Sequence, residues 1–225
     1  MSGVARPTRA LPQGPLRLAL PRGALFEPTL DRLDAIGVDT SELRGDSRSL
    51  VFEAGDLILV TMRPSDVPTY VEAGAADVGI TGKDVLAEQS DRAFYELLDL
   101  NYGACRMVLA GPEDAASDTE REERVGTIRI ATKYPRIADR FFADAGRSAE
   151  VIEVKGSVEL APLAGLADAI VDLVDTGRTL RENGLVVREE ILPSTARLVA
   201  NRVAHKLRAT EIEDLVSRLR ERIPG

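Results

Sequence analysis

The chain has 225 residues, of which 44% are hydrophobic and 29% charged, a composition typical of a globular protein with a core of its own. Its formal net charge of −8 argues against a nucleic-acid-binding protein held by phosphate contacts. No apolar run in the sequence approaches the ~20 residues of a membrane span. The single cysteine, Cys105, excludes an intramolecular disulfide and a metal-binding cysteine cluster, and we expect it to be buried.

The first fifteen residues carry Arg6 and Arg9, but no apolar segment follows them because Arg17 interrupts the next candidate. A secretory signal would need such a segment. Residues 1–15 are therefore predicted to form a disordered tail, and the protein is predicted to be cytoplasmic.

From residue 16 onward, short apolar runs alternate with segments of helical spacing. Strands are predicted at 16–20, 50–52, 57–60, 77–80, 128–131, 151–154 and 169–173. Helices are predicted at 25–36, 66–72, 135–145, 158–163 and 179–183, with two more within 195–222. Residues 112–126 form a charged loop. The alternation predicts an α/β fold with mainly parallel sheets.

Two segments of the chain echo each other at an offset of 91 residues, namely 67–77 and 158–168. Each reads helix, glycine, Ala-Asp and strand, and each is followed by a glycine-containing loop, at 81–83 in one copy and 176–178 in the other. The identities are few, so coincidence is the alternative. A true echo predicts two similar lobes whose strand-end loops border one cleft.

The stretch DLVDTGRTL at 172–180 concentrates hydrogen-bonding groups directly after an apolar strand. Gly177 allows the backbone to turn its N–H groups inward, and threonine hydroxyls add donors for an anion such as phosphate. Asp172 and Asp175 would suit ribose hydroxyls or Mg²⁺ instead. A ribose phosphate satisfies both requirements, while the alternative is an ordinary capped turn with solvated carboxylates.

The longer pattern E-x5-G-x-A-x2-I-x-D-L-x2-T-G-x-T-L, beginning at Glu159, resembles the signature of the ATP phosphoribosyltransferase family. Segments 18–33, 47–86, 102–114 and 128–142 resemble the same family in order, so the resemblance covers roughly residues 16–192. It implies transfer of the 5-phosphoribosyl group of phosphoribosyl pyrophosphate (PRPP) to N1 of ATP with release of pyrophosphate, the first step of histidine biosynthesis.

The resemblance also implies a fold of two lobes resembling a type II periplasmic binding protein, with the active site in the inter-lobe cleft. Lobe I is expected to contain residues 16–104 and 187–225, and lobe II, with the PRPP-binding loop, residues 105–186. Fold alone does not distinguish an enzyme from a non-catalytic two-lobed binding or regulatory module. The phosphate loop together with two arginines favours the enzyme.

The family's functional positions carry over residue by residue. The residues implied are, for catalysis, Arg48 and Arg63; for PRPP, Asp172, Asp175, Thr176, Gly177, Arg178 and Thr179; and for ATP or pyrophosphate, Arg22, Gly23, Lys83 and Asp84. Mg²⁺ is expected to arrive on the substrates, with Asp172 as the one candidate contact. Asp172 as a structural brace, and solvated arginines at 48 and 63, are the alternatives.

One position departs from the family, because Ala24 stands where an arginine is usual. The orientation of Arg178 is open.

The chain resembles the short form of the family. This resemblance implies a homodimer of this chain and a regulatory subunit resembling histidyl-tRNA synthetase, assembled together in a hetero-octamer. Partners other than ATP, PRPP and these subunits are not expected, neither nucleic acid nor membrane.

Overall fold

The computed structural model describes residues 14–45, 48–113 and 126–223. The chain divides into two compact units. The first comprises Met1–Gly82, Asp91–Tyr102 and Ala196–Gly225, and the second comprises Lys83–Ser90 and Gly103–Thr195. The predicted tail, apart from its last two residues, and residues 114–125 of the predicted charged loop lie outside the described residues.

The first unit is built on a sheet in which, within the described residues, six strands follow the order β2-β3-β1-β4-β11-β5. They are β1 (Leu16–Pro21), β2 (Val51–Ala54), β3 (Leu57–Met62), β4 (Val78–Gly82), β5 (Phe94–Asp99) and β11 (Ala196–Asn201). Strand β1 runs parallel to both β3 and β4, so the carboxyl ends of these three strands share one edge of the sheet.

Helices cover both faces of this sheet. They are α1 (Phe26–Ala35), α2 (Val67–Glu72), α7 (Arg202–Leu207) and α8 (Ala209–Arg220). Helix α8 buries Ile212, Leu215 and Leu219, which are spaced three and four residues apart and so form one apolar stripe. This stripe packs with α1 and the strands into the core of the first unit.

The second unit contains, in its described part, a sheet of the order β10-β6-β9-β7-β8. Its strands are β6 (Cys105–Pro112), β7 (Ile128–Thr132), β8 (Ala149–Glu153), β9 (Ala169–Val174) and β10 (Leu185–Ser194), and its helices are α3 (Lys83–Glu88), α4 (Pro135–Asp144), α5 (Leu160–Leu163) and α6 (Arg178–Glu182). Strand β7 is parallel to β8 and β9. None of the helices among the described residues has the length and apolar content that a membrane span requires.

Residues 195–201 were predicted to be helical, and this prediction is wrong. Residues 196–201 form β11, which lies between β4 and β5 and is buried on both faces. Such a strand reads as a continuous apolar run, which spacing alone does not distinguish from a buried helix. The Asn201 side chain then accepts hydrogen bonds from the N–H groups of Val203 and Ala204 and so caps α7.

The boundary predicted between residues 186 and 187 falls inside β10. This strand pairs with β6 from Leu185 to Ser194, so the whole of it belongs to the second unit. The chain returns to the first unit at Ala196. Helix α3 also belongs to the second unit, although the sequence placed it in the first.

The echo between the two halves has a structural counterpart. In both copies a glycine follows the helix with positive φ, 65° at Gly74 and 71° at Gly165, as expected for a residue that ends a helix. The N–H of each glycine donates to the carbonyl three residues earlier, and the next N–H donates to the carbonyl five residues earlier. The two turns therefore match bond for bond.

The aspartate that closes each copy makes the same pair of hydrogen bonds to a neighbouring strand. The Asp77 N–H donates to the Arg17 carbonyl (3.0 Å), and Asp77 Oδ2 accepts from the Arg17 N–H (2.9 Å). Asp168 does the same with Arg129, at 2.8 and 3.0 Å. The prediction of a true echo is confirmed for the segment from helix to aspartate.

Candidate active site

A cavity of about 280 Å³ opens in the second unit at the carboxyl ends of β7 and β9. Its walls are formed by Lys133, Glu159 and residues 172–180. Because β7 and β9 are parallel with Thr132 opposite Val171, the residues that follow, Lys133 and Asp172, reach the same edge of the sheet. This edge is where open α/β sheets bind their ligands.

The loop predicted to bind phosphate forms one side of this cavity. It joins β9 to α6, and Gly177 lies in the left-handed region with φ 72° and ψ 11°, where glycine is favoured. Among the described residues, the N–H groups of Gly177 and Thr179 have no hydrogen-bond acceptor within the protein. These N–H groups and the threonine hydroxyls are donors that an anion in the cavity can use.

The orientation of Arg178, which the sequence left open, is defined in the structure. Its Nε donates to Glu182 Oε1 at 2.7 Å, one helical turn further on, and its side chain is 79% exposed. The guanidinium therefore lies along the outside of α6. The backbone N–H of Arg178 faces Thr176 Oγ1 at 3.4 Å.

Asp172 lies half-buried in the cavity wall. Burial raises the pKa of its carboxyl group above the usual range, the Leu173 N–H and the charge of Lys133 oppose this rise, and Glu159 adds to it. The Leu173 N–H donates to Asp172 Oδ1 at 2.9 Å. A ligand that brings hydroxyl donors or a cation would therefore stabilise this carboxylate.

The structure places Asp84 inside the second unit rather than on an open surface. Asp84 is 7% exposed, its Oδ1 accepts from Ser194 Oγ at 2.8 Å, and its N–H donates to the same hydroxyl at 3.0 Å. The backbone N–H of Lys83 donates to the Thr195 carbonyl. These hydrogen bonds fix the start of α3 against Ser194, the last residue of β10, and Thr195, which follows it.

The side chains of Tyr134 and Cys105 lie near Asp84. Burial raises the pKa of the Tyr134 phenol strongly, and the carboxylates of Asp84 and Asp172 raise it further, so the phenol stays a hydrogen-bond donor. Cys105, predicted to be buried, is partly exposed. Burial raises the pKa of its thiol, and Asp84 and Asp175 add to the effect, so the thiol stays protonated.

A second set of predicted residues lies at the carboxyl edge of β1 and β3 in the first unit. Arg22 directly follows β1, with its N–H bonded to the Met62 carbonyl (2.7 Å) and its Nε to Thr61 Oγ1 (3.1 Å). Its guanidinium also lies 5.5 Å from the centre of the Phe26 ring. Two contacts thus hold the Arg22 side chain. Gly23, next in the chain, adopts φ 89°.

Arg48 and Arg63 come to this same edge. Arg63 directly follows β3, and the Thr61 N–H donates to the Leu50 carbonyl, so the residues just before β2 lie beside the end of β3. Both arginines are exposed, and within the described part of the chain neither forms an ion pair. The structure therefore gathers three of the predicted cationic residues at one edge.

The expectation of matching loops after the echoed strands is wrong. Strand β4 ends at Gly82 and α3 begins at Lys83, so no loop intervenes, and the Thr81 hydroxyl donates to the Pro64 carbonyl at 2.9 Å. After β9, in contrast, residues 175–177 separate strand from helix. Among the described residues, only the second copy has a loop between its strand and the helix that follows.

Lys133 and Glu159 are cavity residues that the sequence reasoning did not place in the site. Glu159 stood in the recognised signature without a role. Lys133 follows the strand at 128–131, and the parallel pairing of that strand with β9 would have placed it beside Asp172. The sequence contains no direct signal for that pairing.

Among the described residues, the cavity brings together N–H groups and hydroxyls suited to a phosphate and carboxylates suited to a sugar or its metal, which is the chemistry expected of an α/β protein that acts on a ribose phosphate. The sequence pattern of the ATP phosphoribosyltransferase (HisG) family matches residues 63–221. The ATP phosphoribosyltransferase of Rubrobacter xylanophilus is 55% identical over 203 residues, spanning 90% of this chain and 94% of that protein. That of Caldanaerobacter subterraneus is 46% identical over 210 residues, spanning 92% and 97%.

Among solved structures, the ATP phosphoribosyl transferase (HisG:HisZ) complex from Thermotoga maritima contains a chain that is 37% identical, with a TM-score of 0.78 and coverage of 92% of this chain and 97% of that one. The chain belongs to the ATP phosphoribosyltransferase family. Its predicted function, transfer of the phosphoribosyl group of PRPP to ATP in the first step of histidine biosynthesis, is confirmed, and the non-catalytic alternative is not favoured.

The aliphatic sulphonate binding protein SsuA of Escherichia coli shares the fold alone. It is 14% identical, with a TM-score of 0.58 and coverage of 93% of this chain and 72% of that one. The predicted fold, an α/β protein resembling the periplasmic binding proteins, is confirmed. The prediction of mainly parallel sheets is wrong, because both sheets are mixed: β2, β5, β6, β10 and β11 pair antiparallel with their neighbours. The predicted position of the active site in a cleft stays a prediction.

Replacing Asp172 with asparagine tests whether it binds ligand or braces the loop. Burial raises the pKa of the Asp172 carboxyl group, which means that burial disfavours its charged form. Because asparagine removes that charge, thermal unfolding should occur at the same temperature or higher. PRPP affinity, measured by calorimetric titration, should fall about tenfold or more because a charged hydrogen-bond acceptor is lost. A large drop in melting temperature with unchanged affinity would show a structural brace instead.

Proposed function

We propose that the loop 175–179 binds the 5-phosphate of PRPP, and that Asp172 and Asp175 hold the ribose hydroxyls. The observation that carries the proposal is that one cavity holds both those carboxylates and the N–H groups of Gly177 and Thr179, which have no acceptor among the described residues. The Thr176 and Thr179 hydroxyls add donors. Arg178 contributes its backbone N–H, which otherwise makes a long hydrogen bond of 3.4 Å to Thr176 Oγ1, since its side chain pairs with Glu182.

In this proposal, Arg48 and Arg63 stabilise the pyrophosphate as negative charge develops on it. Among the described residues neither guanidinium group forms an ion pair, and both are exposed beside the carboxyl ends of β1 and β3. This supports the role, because such groups are available to a polyanion. Arg22, Gly23 and Lys83 bind ATP or pyrophosphate, and the hydrogen bond from Arg22 Nε to Thr61 Oγ1 supports a fixed orientation of that side chain. Buried Asp84 holds the start of α3, which carries Lys83.

The reaction needs no strong general base, because adenine N1 attacks C1 of the ribose with its own lone pair. The sequence contains one histidine, His205, and this reaction does not require it as a base. The His205 ring packs edge-on against the Tyr95 ring, with centroids 5.2 Å apart, which supports a structural role. Positioning two polyanions together is the main task left to the protein.

Enzymes of this family generally use a metal ion, and we propose Mg²⁺. The described residues contain no group of three or more side chains able to hold a metal by themselves. The cavity does offer the oxygen donors that Mg²⁺ prefers, on Asp172, Asp175 and Glu159. The ion would therefore bind chiefly through substrate oxygens, with Asp172 as a contact, and would supply charge neutralisation for the leaving pyrophosphate.

We also propose that the chain works in the cytoplasm, as homodimers assembled with a regulatory subunit that resembles histidyl-tRNA synthetase, in a hetero-octamer. The support is the similar chain from Thermotoga maritima, whose structure is that of a HisG:HisZ complex. The match covers 97% of that chain, so the comparison extends over nearly its whole length.

The proposed function is tested by mixing the protein with ATP, PRPP and Mg²⁺ and following pyrophosphate release. We expect release that requires both substrates and that increases when the regulatory subunit is added. No release from the pair of subunits at saturating substrate would contradict the proposal.

Replacing Arg48 or Arg63 with alanine should lower turnover about 100-fold, since each would remove stabilisation of charge that develops only in the transition state. Both side chains are exposed, so melting temperatures should stay at the wild-type value. Arg220→Ala, an exposed position at the end of α8, is the matched control and should retain full activity. Wild-type turnover in both variants would remove these arginines from the mechanism.

A further inference from the structure

Arg181 lies next to the phosphate loop but outside its cavity. It is the fourth residue of α6, and the cavity walls end at Leu180. Neither the family signature nor the predicted site includes it. The hydrogen bonds that its side chain and its backbone N–H donate nevertheless go to the loop.

Arg181 holds two consecutive carbonyl groups of the loop. Its side-chain Nη1 donates to the Thr176 carbonyl at 3.1 Å, and its backbone N–H donates to the Gly177 carbonyl at 3.2 Å. The guanidinium also lies against the Gly177 backbone, since a Cβ atom added to that glycine would approach Nη1 to 3.2 Å. One residue thus fixes the peptide group on each side of the Gly177 Cα.

The consequence for the ligand follows from peptide geometry. In a trans peptide the carbonyl oxygen and the N–H point in opposite directions. The Thr176 carbonyl and the Gly177 N–H belong to the same peptide, and the carbonyl is bonded to Arg181, which lies outside the cavity. The Gly177 N–H is therefore directed to the other side, where the cavity lies.

Without that bond the peptide between Thr176 and Gly177 loses its anchor. Glycine adopts positive and negative φ with similar ease, so rotation of this peptide costs little there. The rotated peptide would present a carbonyl oxygen to the phosphate in place of an N–H donor. Asp175 and Asp172 already place negative charge nearby, so a further oxygen would weaken phosphate binding.

We propose that Arg181 is a positioning residue for the 5-phosphate of PRPP: by holding the Thr176 carbonyl outside the cavity, it keeps the Gly177 N–H turned toward the ligand. This inference rests on the proposed role of the loop. It assigns to Arg181 no contact with substrate, in contrast to Arg48 and Arg63.

The test compares Arg181→Met with wild-type protein and with the control Arg140→Met, an exposed arginine on α4 in the same unit that donates to Ser90. PRPP with Mg²⁺ is titrated by calorimetry, and KM values for PRPP and ATP are taken from pyrophosphate release. We expect Arg181→Met to weaken PRPP binding about tenfold, as for the loss of a hydrogen bond to a charged group, with the KM for ATP unchanged. Arg140→Met should match the wild type.

Ionic strength separates positioning from simple charge attraction. A remote positive charge is screened when the ionic strength rises from roughly 0.05 to 0.5 M, whereas a misoriented peptide is not corrected by salt. We expect the deficit of Arg181→Met to persist at the higher value. A deficit that disappears there, or PRPP affinity within about twofold of wild type at both values, would overturn the inference.

Arg181→Lys keeps the charge but not the planar group that packs on Gly177, and it should bind PRPP with intermediate affinity. It also serves if the methionine variant fails to fold, and a wild-type KM for PRPP in this variant would then overturn the inference. Failure of the wild-type protein to bind PRPP at all would overturn the proposed function, and this inference with it. The two failures are thus distinguishable.

Discussion

The hydrogen bonds of Asp168 to the backbone of Arg129 are the constraint on which the candidate active site depends. They join the start of β9 to β7, and the Arg129 side chain completes the pair with an ion pair at 3.1 Å. This fixes the register in which Thr132 lies opposite Val171. A slip of one residue would turn every side chain of β9 to the opposite face. With the register held, Lys133, Asp172 and the phosphate loop reach one edge of the sheet together.

The first unit contains the same pair of backbone hydrogen bonds, but the chain beyond its strand is different. Asp77 joins β4 to β1 through the same two backbone bonds, and the buried guanidinium of Arg208 pairs with its carboxylate at 3.1 Å. Beyond the strand the copies diverge, because β4 passes directly into α3 while β9 is followed by a loop. The scaffold is repeated and the strand-end chemistry is not, in keeping with function residing in loops on a common framework.

The sequence predicted well what is encoded by adjacent residues. The strands around the echo, the position of the loop after β9 and the positions of the arginines beside β1, β2 and β3 all follow from short patterns. It did not predict β11, because a strand buried on both faces lacks alternation. It placed one domain boundary inside β10, whose extent is set by pairing with β6 rather than by its own composition.

Other features depend on contacts between residues that no short sequence pattern links. Lys133 joins the site through parallel pairing with β9, Arg178 turns away to Glu182, and Arg181 reaches back five residues to a carbonyl. Each depends on a side-chain direction or a register that residue type alone leaves undetermined. The buried bonds of Asp84 to Ser194 join positions 110 residues apart and belong to the same class.

The central claim, that the loop after β9 is the site of the PRPP phosphate, is tested most directly by a crystal structure of the protein with PRPP and Mg²⁺. We expect the 5-phosphate to lie within about 3 Å of the backbone nitrogens of Gly177 and Thr179, with the ribose hydroxyls toward Asp172 and Asp175. A phosphate bound elsewhere, with this loop unoccupied at saturating PRPP, would contradict it.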